Sequence, residues 1–255
     1  VVCFREKKTG GTRYSLIAGS LILRNLAILT SVTASSAPPS QIVELKQNAL
    51  ELKQNALELK QERRYKASLE EFQRLVKIAP DDPEIHYHLA TLIALMTSRT
   101  PEAIEHLNIA LSLRPDFVPA LEALAALYPL NDEYGKALET LDTLISFHPE
   151  KSYYLCEAAD LCTLMNEREK SLAYLQQAVE KNPSDEDLLA CIGAVFSHWG
   201  EKKRAEAYLR KALESDSDHA RANYELASIL VRDRELGEAE TMALRSTRSN
   251  PFVQE

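Results

Sequence analysis

Residues Pro149 to Pro183 read PEKSYYLCEAADLCTLMNEREKSLAYLQQAVEKNP: two apolar patterns at helical spacing, a polar turn between them, and a proline at either end. The frame recurs along the chain. Pro80, Pro115, Pro149, Pro183 and Pro251 stand in KIAPDD, SLRPDF, SFHPEK, EKNPSD and RSNPFV, at separations of 35, 34, 34 and 68, the last being twice 34. Ser217, in ESDSDH, occupies the skipped point. A proline just past an apolar helical pattern ends the helix, because it lacks an N–H and clashes with the preceding turn.

Two further columns keep the same period. Ten residues past each proline point come Ala90, Ala125, Ala159, Gly193 and Ala227, with Ala56 one period earlier. Twelve residues before each point come Ser68, Ala103, Ala137, Ser171, Ala205 and Ala239. Large residues flank both columns, as at Phe72, Leu107, Leu141, Leu175 and Leu209. Where two helices cross, a small side chain lets a larger neighbour fill the gap, and a large one there forces the helices apart. The period therefore predicts stacked helix–turn–helix units. In one of them PEIHYHLATLIALM and PEAIEHLNIALSL are the two helices, with Thr100 as the cap of the second, Pro101 in its first turn and Glu102 near its positive end. The residue that stretches one spacing to 35 falls in the turn TSRT, Thr97 to Thr100, where an insertion costs little.

A 34-residue helix–turn–helix unit with small residues in both helices and a closing proline resembles the tetratricopeptide repeat (TPR) family, over roughly residues 45–253. The resemblance implies an all-α solenoid of about six repeats in a right-handed superhelix. It also implies a concave wall built from the first helix of each repeat, where relatives grip peptide tails or partner helices. It bears strongly on fold and hardly at all on the identity of a partner.

The stretch ELKQNALELKQNALELKQ, Glu44 to Gln61, fits this frame as a first helix lengthened by a verbatim heptad duplication. Seven residues nearly preserve a helix face. Leu52, Ala56 and Leu59 fall where a first helix needs a large, a small and a large residue. Fewer than three heptads are too few for a convincing coiled coil, although a coiled-coil contact through the exposed front stays open.

On the implied wall stand Glu84, Tyr87 and Thr91; Glu122, Ala126 and Pro129; Tyr153, Cys156 and Asp160; Asp187, Ala190 and Ala194; and Arg221, Tyr224 and Ser228. The carboxylate clamp of chaperone-binding relatives needs Lys, Asn and Arg on successive first helices. The matching places here hold Tyr87, His88, Thr91, Ala123, Tyr153 and Glu157, so acidic chaperone tails are not the expected ligand. Glu84, Glu122, Asp160 and Asp187 against Arg221 favour a partner segment with basic and apolar residues, unless these acids are simply solvated positions. Pro129 should stop the third first helix near Tyr128 and widen the groove there.

Composition excludes several classes. Glycine is scarce, seven in all, which removes glycine-rich phosphate loops. The net charge is −8; residues 1–37 carry five cations and one anion, +4, which leaves −12 on the remainder. Such a surface repels nucleic acid. No nucleophile elbow, zinc-protease motif, Walker loop or dinucleotide fingerprint occurs, so the chain is expected to be no enzyme and to need no cofactor. His86 and His88, two apart on a helix, face different ways and make poor metal co-ligands. Cys3, Cys156, Cys162 and Cys191 include no C-x-x-C and read as small, buried or half-buried thiols.

Residues 1–37 are basic, then apolar, then small and polar, with proline following, the order of a cleaved targeting presequence. Val32-Thr33-Ala34 offers the cleavage site. A membrane anchor competes, but Arg24-Asn25 interrupts the apolar run, and the mature protein is expected to have no stable span. The address favoured is the chloroplast, thylakoid-associated or lumenal, with bacterial export to the periplasm as the alternative. Residues 38–255 are then the solenoid. Ser246-Thr247 stands where earlier second helices have an Ala beside a Leu or Val, as expected of a solvated terminal repeat. Two functional classes follow: an adaptor or assembly factor that holds a segment in its groove, and a stoichiometric structural subunit that docks by its convex face or ends.

Overall fold

The computed structural model describes residues 39–97 and 99–248. These residues form twelve α-helices and one 3-10 turn, with no strand among them. The chain divides between Ser98 and Arg99 into two compact units. Unit 1 holds α1 (Pro39–Gln61), α2 (Tyr65–Ile78) and α3 (Pro83–Met96). Unit 2 holds α4 (Thr100–Leu113), α5 (Val118–Leu127), α6 (Tyr134–Phe147), α7 (Ser152–Leu164), α8 (Arg168–Lys181), α9 (Glu186–His198), α10 (Lys202–Ser215), α11 (Ala220–Arg232) and α12 (Leu236–Arg248). The proposed presequence and Ser98, within the expected insertion turn, lie outside the described residues.

The column of small residues in the second helices is enclosed throughout. Ser68, Ala103, Ala137, Ser171 and Ala205 have no exposed surface, and Ala239 has almost none. In the first helices Ala56, Ala90, Ala159, Gly193 and Ala227 are buried. The steric reason is explicit at Gly193: a Cβ there would lie 2.6 Å from Leu209 Cγ and 3.2 Å from the Ala205 carbonyl oxygen. Those are the large and small columns of the partner helix, so two columns of sequence meet in one crossing. Where the crossing residue is serine, its hydroxyl is used. Ser68 Oγ donates to the Ala56 carbonyl oxygen at 2.7 Å. Thr163 donates to the Ala159 carbonyl oxygen at 2.8 Å, and Ser171 Oγ lies 2.8 Å from Thr163 Oγ1. Ala125 departs from the pattern: it is only half-buried, on α5, which Pro129 cuts to ten residues and so leaves less covered.

In unit 1, α1 packs on α2 and α2 on α3. In unit 2, α5 with α6, α7 with α8, α9 with α10 and α11 with α12 form hairpins, and α9 also lies against both α7 and α11. The turns inside the hairpins share one device. Arg63, Asp132, Asn166, Gly200 and Arg234 all have left-handed backbones, with φ between 58° and 75°. The N–H that follows each bonds back to the preceding first helix, or for Asp132 to Tyr128 at its end, as in Glu167 to Cys162 and Glu201 to Phe196, 2.8 and 2.9 Å. This is a Schellman-type end, which satisfies the orphan carbonyls of the helix. The last four such positions are spaced by 34, the period of the prolines. Before the described proline points the backbone leaves the helical region, with φ −131° at His148 and −146° at Asn182, as the following ring demands. Asp216 keeps the same shape, φ −132°, ahead of Ser217.

Thr100 is not the cap of α4. Arg99 adopts the half-in conformation one residue earlier and makes no side-chain cap bond; it pairs with Glu102 at 2.8 Å instead. Pro129 does end α5, through a 3-10 turn at Pro129–Asn131. A shallow hollow of about 490 Å³, lined by α4 residues with Asn131 and Glu133, lies on the second-helix side of that turn. Tyr128 packs inward, its hydroxyl 3.4 Å from Asn108 Oδ1.

Candidate functional site

The first helices of unit 2 present a cleft of about 520 Å³. It is lined by Asp160, Thr163 and Leu164 of α7, Ala194, Val195, Ser197 and His198 of α9, and Arg221, Glu225 and Arg232 of α11. Asp160, Ala194 and Arg221 are wall residues expected from the sequence; Leu164, His198, Glu225 and Arg232 were not among them. Tyr153 and Tyr224, on the same helices, are 60% and 62% exposed. Cys156 and Ala190, expected on the wall, are instead buried, although Glu122 and Tyr224 in the same 34-residue column are exposed. Glu122 and Ala126 are exposed on α5, and Glu84, Tyr87 and Thr91 are half-buried on α3 in unit 1.

The wall acids are already engaged, which corrects the picture of a free acidic surface. Lys53 donates to Glu84 at 2.6 Å. The Tyr154 hydroxyl donates to Glu122 at 2.5 Å. His219 Nε2 donates to Asp187 at 2.9 Å, while its Nδ1 accepts from the Ala222 N–H at 3.2 Å and caps α11. Arg221 reaches from α11 to Asp160 on α7, two repeats away, at 2.6 Å. Single-repeat reading missed these bonds because each joins columns of different repeats.

The electrostatics of the cleft are set by desolvation. Burial pushes the Asp160 carboxyl above the usual range, and Arg221 beside it only partly offsets this. Burial likewise raises Glu157 and Glu225, with the Asp160 charge adding to both. For Arg221, burial alone would lower the pKa; the Asp160 charge outweighs it and the guanidinium stays firmly protonated. Arg232 is pinned by Ser197 Oγ at 3.0 Å and the Ser228 carbonyl oxygen at 3.2 Å. Beneath the cleft, the Cys191 thiol is pushed well up, first by Cys156 next to it and then by burial. Burial raises Cys162 to about 11. Thiols held protonated are poor nucleophiles. All three described cysteines are free and buried, as their spacing suggested. Among the described residues no group of three or more His, Cys, Asp or Glu is placed to hold a metal, and no helix is long and apolar enough to cross a membrane.

A family model described as tetratricopeptide repeat matches residues 54–116 and 200–252. Solved structures show the same fold at low identity. A tetratricopeptide repeat protein from Parabacteroides merdae is 16% identical, with 92% of this chain and 93% of that one covered and a TM-score of 0.69. MamA from Desulfovibrio magneticus, from residue 41 to its end, is 18% identical, covering 67% and 96%, with a TM-score of 0.59. TTC0263, a thermophilic TPR protein of Thermus thermophilus, is 22% identical, covering 72% and 99%, at 0.53. No curated protein sequence matches. The 34-residue period, the enclosed small columns and the matched segments converge: this chain has an all-α solenoid fold and carries tetratricopeptide repeats at residues 54–116 and 200–252.

Proposed function

We propose that this chain is a non-catalytic protein-interaction adaptor or assembly factor that holds a partner segment on the first-helix wall of unit 2. The cleft over α7, α9 and α11 carries the reading. Two carboxyls, Asp160 and Glu225, line it, a third, Glu157, is near enough to feel the charges of Asp160 and Arg221, and the Arg221 guanidinium bonds only Asp160 of the three. Leu164, 63% exposed, supplies an apolar edge, and Tyr153 and Tyr224 stand beside it. Such aromatic groups give contact area at small entropic cost. A cation entering near Glu157 and Glu225 relieves the desolvation that burial imposes on them. The occupant is therefore a peptide or helix with Lys or Arg next to apolar residues.

Selection of a random displayed-peptide library on the purified chain tests this. Enriched sequences should pair a basic residue with aliphatic or aromatic ones, and the doubly substituted Glu157→Gln, Glu225→Gln protein should lose the enrichment while keeping its helical spectrum. Equal enrichment of such sequences on both proteins, or no enrichment of them on the native chain, overturns the reading. We also propose import into the chloroplast, supported by the order of residue types in 1–37; amino-terminal sequencing of the mature protein should begin shortly after Ala34, and retention of residues 1–34 would overturn it.

A further inference from the structure

The duplicated heptad puts Lys46, Lys53 and Lys60 at one position of a seven-residue unit. Successive copies fall on nearly the same face of α1. Lys53 and Lys60 nevertheless meet different neighbours. Lys53 Nζ donates to Asp82 Oδ2 at 2.8 Å and Glu84 Oε2 at 2.6 Å. Burial alone would lower its pKa, yet those two carboxylates hold it above the ordinary range. Lys60, two turns on, donates to Thr91 Oγ1 at 2.9 Å and approaches His88 Nδ1 at 3.4 Å, with its ammonium 5.9 Å from the centre of the Tyr87 ring.

Every one of those three neighbours is neutral. Thr91 spends its own proton on the His88 carbonyl oxygen at 2.9 Å, so it offers Lys60 only lone pairs. An ammonium can only donate, which makes His88 Nδ1 the acceptor and puts the ring proton on Nε2. Burial, with the Lys60 charge adding, holds the His88 ring down to about 4, and Phe72 backs it at 5.4 Å between centroids. Glu84, Lys53 and Asp82 also act on this ring from a greater distance, the first and last opposing Lys60. Burial lowers the Lys60 ammonium, with no carboxylate raising it. Among the described residues it has no ion-pair partner. Two of its three donors are used and its charge is uncompensated, a costly arrangement for a half-buried cation.

We propose that Lys60, with Tyr87, His88 and Thr91, is a binding site for a carboxylate of a bound protein segment, either an acidic side chain or a chain terminus. A carboxylate supplies what the site lacks: a counter-charge, and an acceptor for the third ammonium proton. The site lies within unit 1 and stands or falls independently of the cleft on unit 2. It is also not the clamp of chaperone-binding relatives, whose matching places hold Tyr87, His88, Thr91, Ala123, Tyr153 and Glu157 in place of Lys, Asn and Arg.

The test is heteronuclear NMR of the full chain at pH 7, following the Lys60 ε-methylene and the rings of Tyr87 and His88. The probes are N-acetyl-leucine, which has a free α-carboxylate, and N-acetyl-aspartic acid α-amide, which has a side-chain carboxylate. N-acetyl-leucinamide and sodium chloride at matched ionic strength are the controls. At least one acid should give saturable shifts at these residues, about tenfold tighter than the neutral amide, and whichever saturates first names the source of the carboxylate. Lys60→Gln should lose the response, while Lys53→Gln, changed at the equivalent copy, should keep it. Equal shifts with chloride or with the amide, no saturable shift with either acid, or an unchanged response in Lys60→Gln overturns the proposal. Circular dichroism of both variants separates loss of the site from loss of fold.

Discussion

Helices α1 and α9 hold the same place in their repeats, yet they are built differently. Nine of the thirteen residues of α9 are buried, from Leu188 to Ser197, because α7, α10 and α11 all pack on it. In α1, among side chains from Gln47 onward, only Ala56 is buried, and Leu50 is 59% exposed. A helix enclosed by three others must satisfy several crossings at once, and each restricts the sequence. A helix packed chiefly on α2 has one crossing to satisfy. That explains how a heptad was copied letter for letter in α1: the copy had to deliver one small residue, and either Ala49 or Ala56 presents it on the same face.

The comparison breaks most readily at Gly193. Replacing it with Leu should destabilise the fold by about 3 kcal/mol or more, since even a Cβ meets Leu209 and the Ala205 carbonyl. A thermal melt showing no change would mean that α9 and α10 can separate without loss, and the steric account would fail. Ser68→Ala probes the corresponding crossing in α1–α2. It removes the hydrogen bond to the Ala56 carbonyl and should cost about 1 kcal/mol in chemical denaturation. A loss as large as that at Gly193 would show α1 to be held as tightly as α9.

A smaller effect is expected at the turns. Gly200→Ala forces a Cβ onto a backbone with φ +75° and should lose roughly 0.5–1 kcal/mol, whereas Arg63→Gly, at φ 59°, should gain about as much. Both are read from denaturation midpoints. The smallest change is expected for Glu225→Gln. Burial raises the Glu225 pKa, so its ionised form costs stability above that raised value and ceases to as pH falls through it towards the unfolded carboxyl range. The variant should therefore melt slightly higher than the native chain at neutral pH, and the advantage should vanish in acid. A lower melting point at pH 7 would mean that Glu225 is stabilised by a partner group in its ionised state.

The columns that set the fold were legible because each is a local requirement repeated: a tiny residue at a crossing, a proline after a helix. The left-handed turn residue recurs at the same period but was hidden, since only Gly200 among the five is a glycine; Asp132 and Asn166 tolerate that backbone, and Arg63 and Arg234 adopt it because the helix end requires it. The wall was half legible. Asp160, Ala194 and Arg221 do line the cleft, but counting acids along the wall could not reveal that each acid is held from another repeat. Thr100 was misread as a cap because its residue type suits that role while the backbone starts the helix one residue sooner.

The reach of Arg221 to Asp160 has a consequence for how the molecule comes apart. Solenoids are usually treated as rows in which each unit feels only its immediate neighbours, so that ends unravel one step at a time. Here α11 is tethered past α9 to α7, and peeling the last hairpins away strips a counter-charge from a carboxylate two repeats inward. Amide exchange should accordingly report α7 through α12 as a single cooperative block, with a free energy of opening shared along its length.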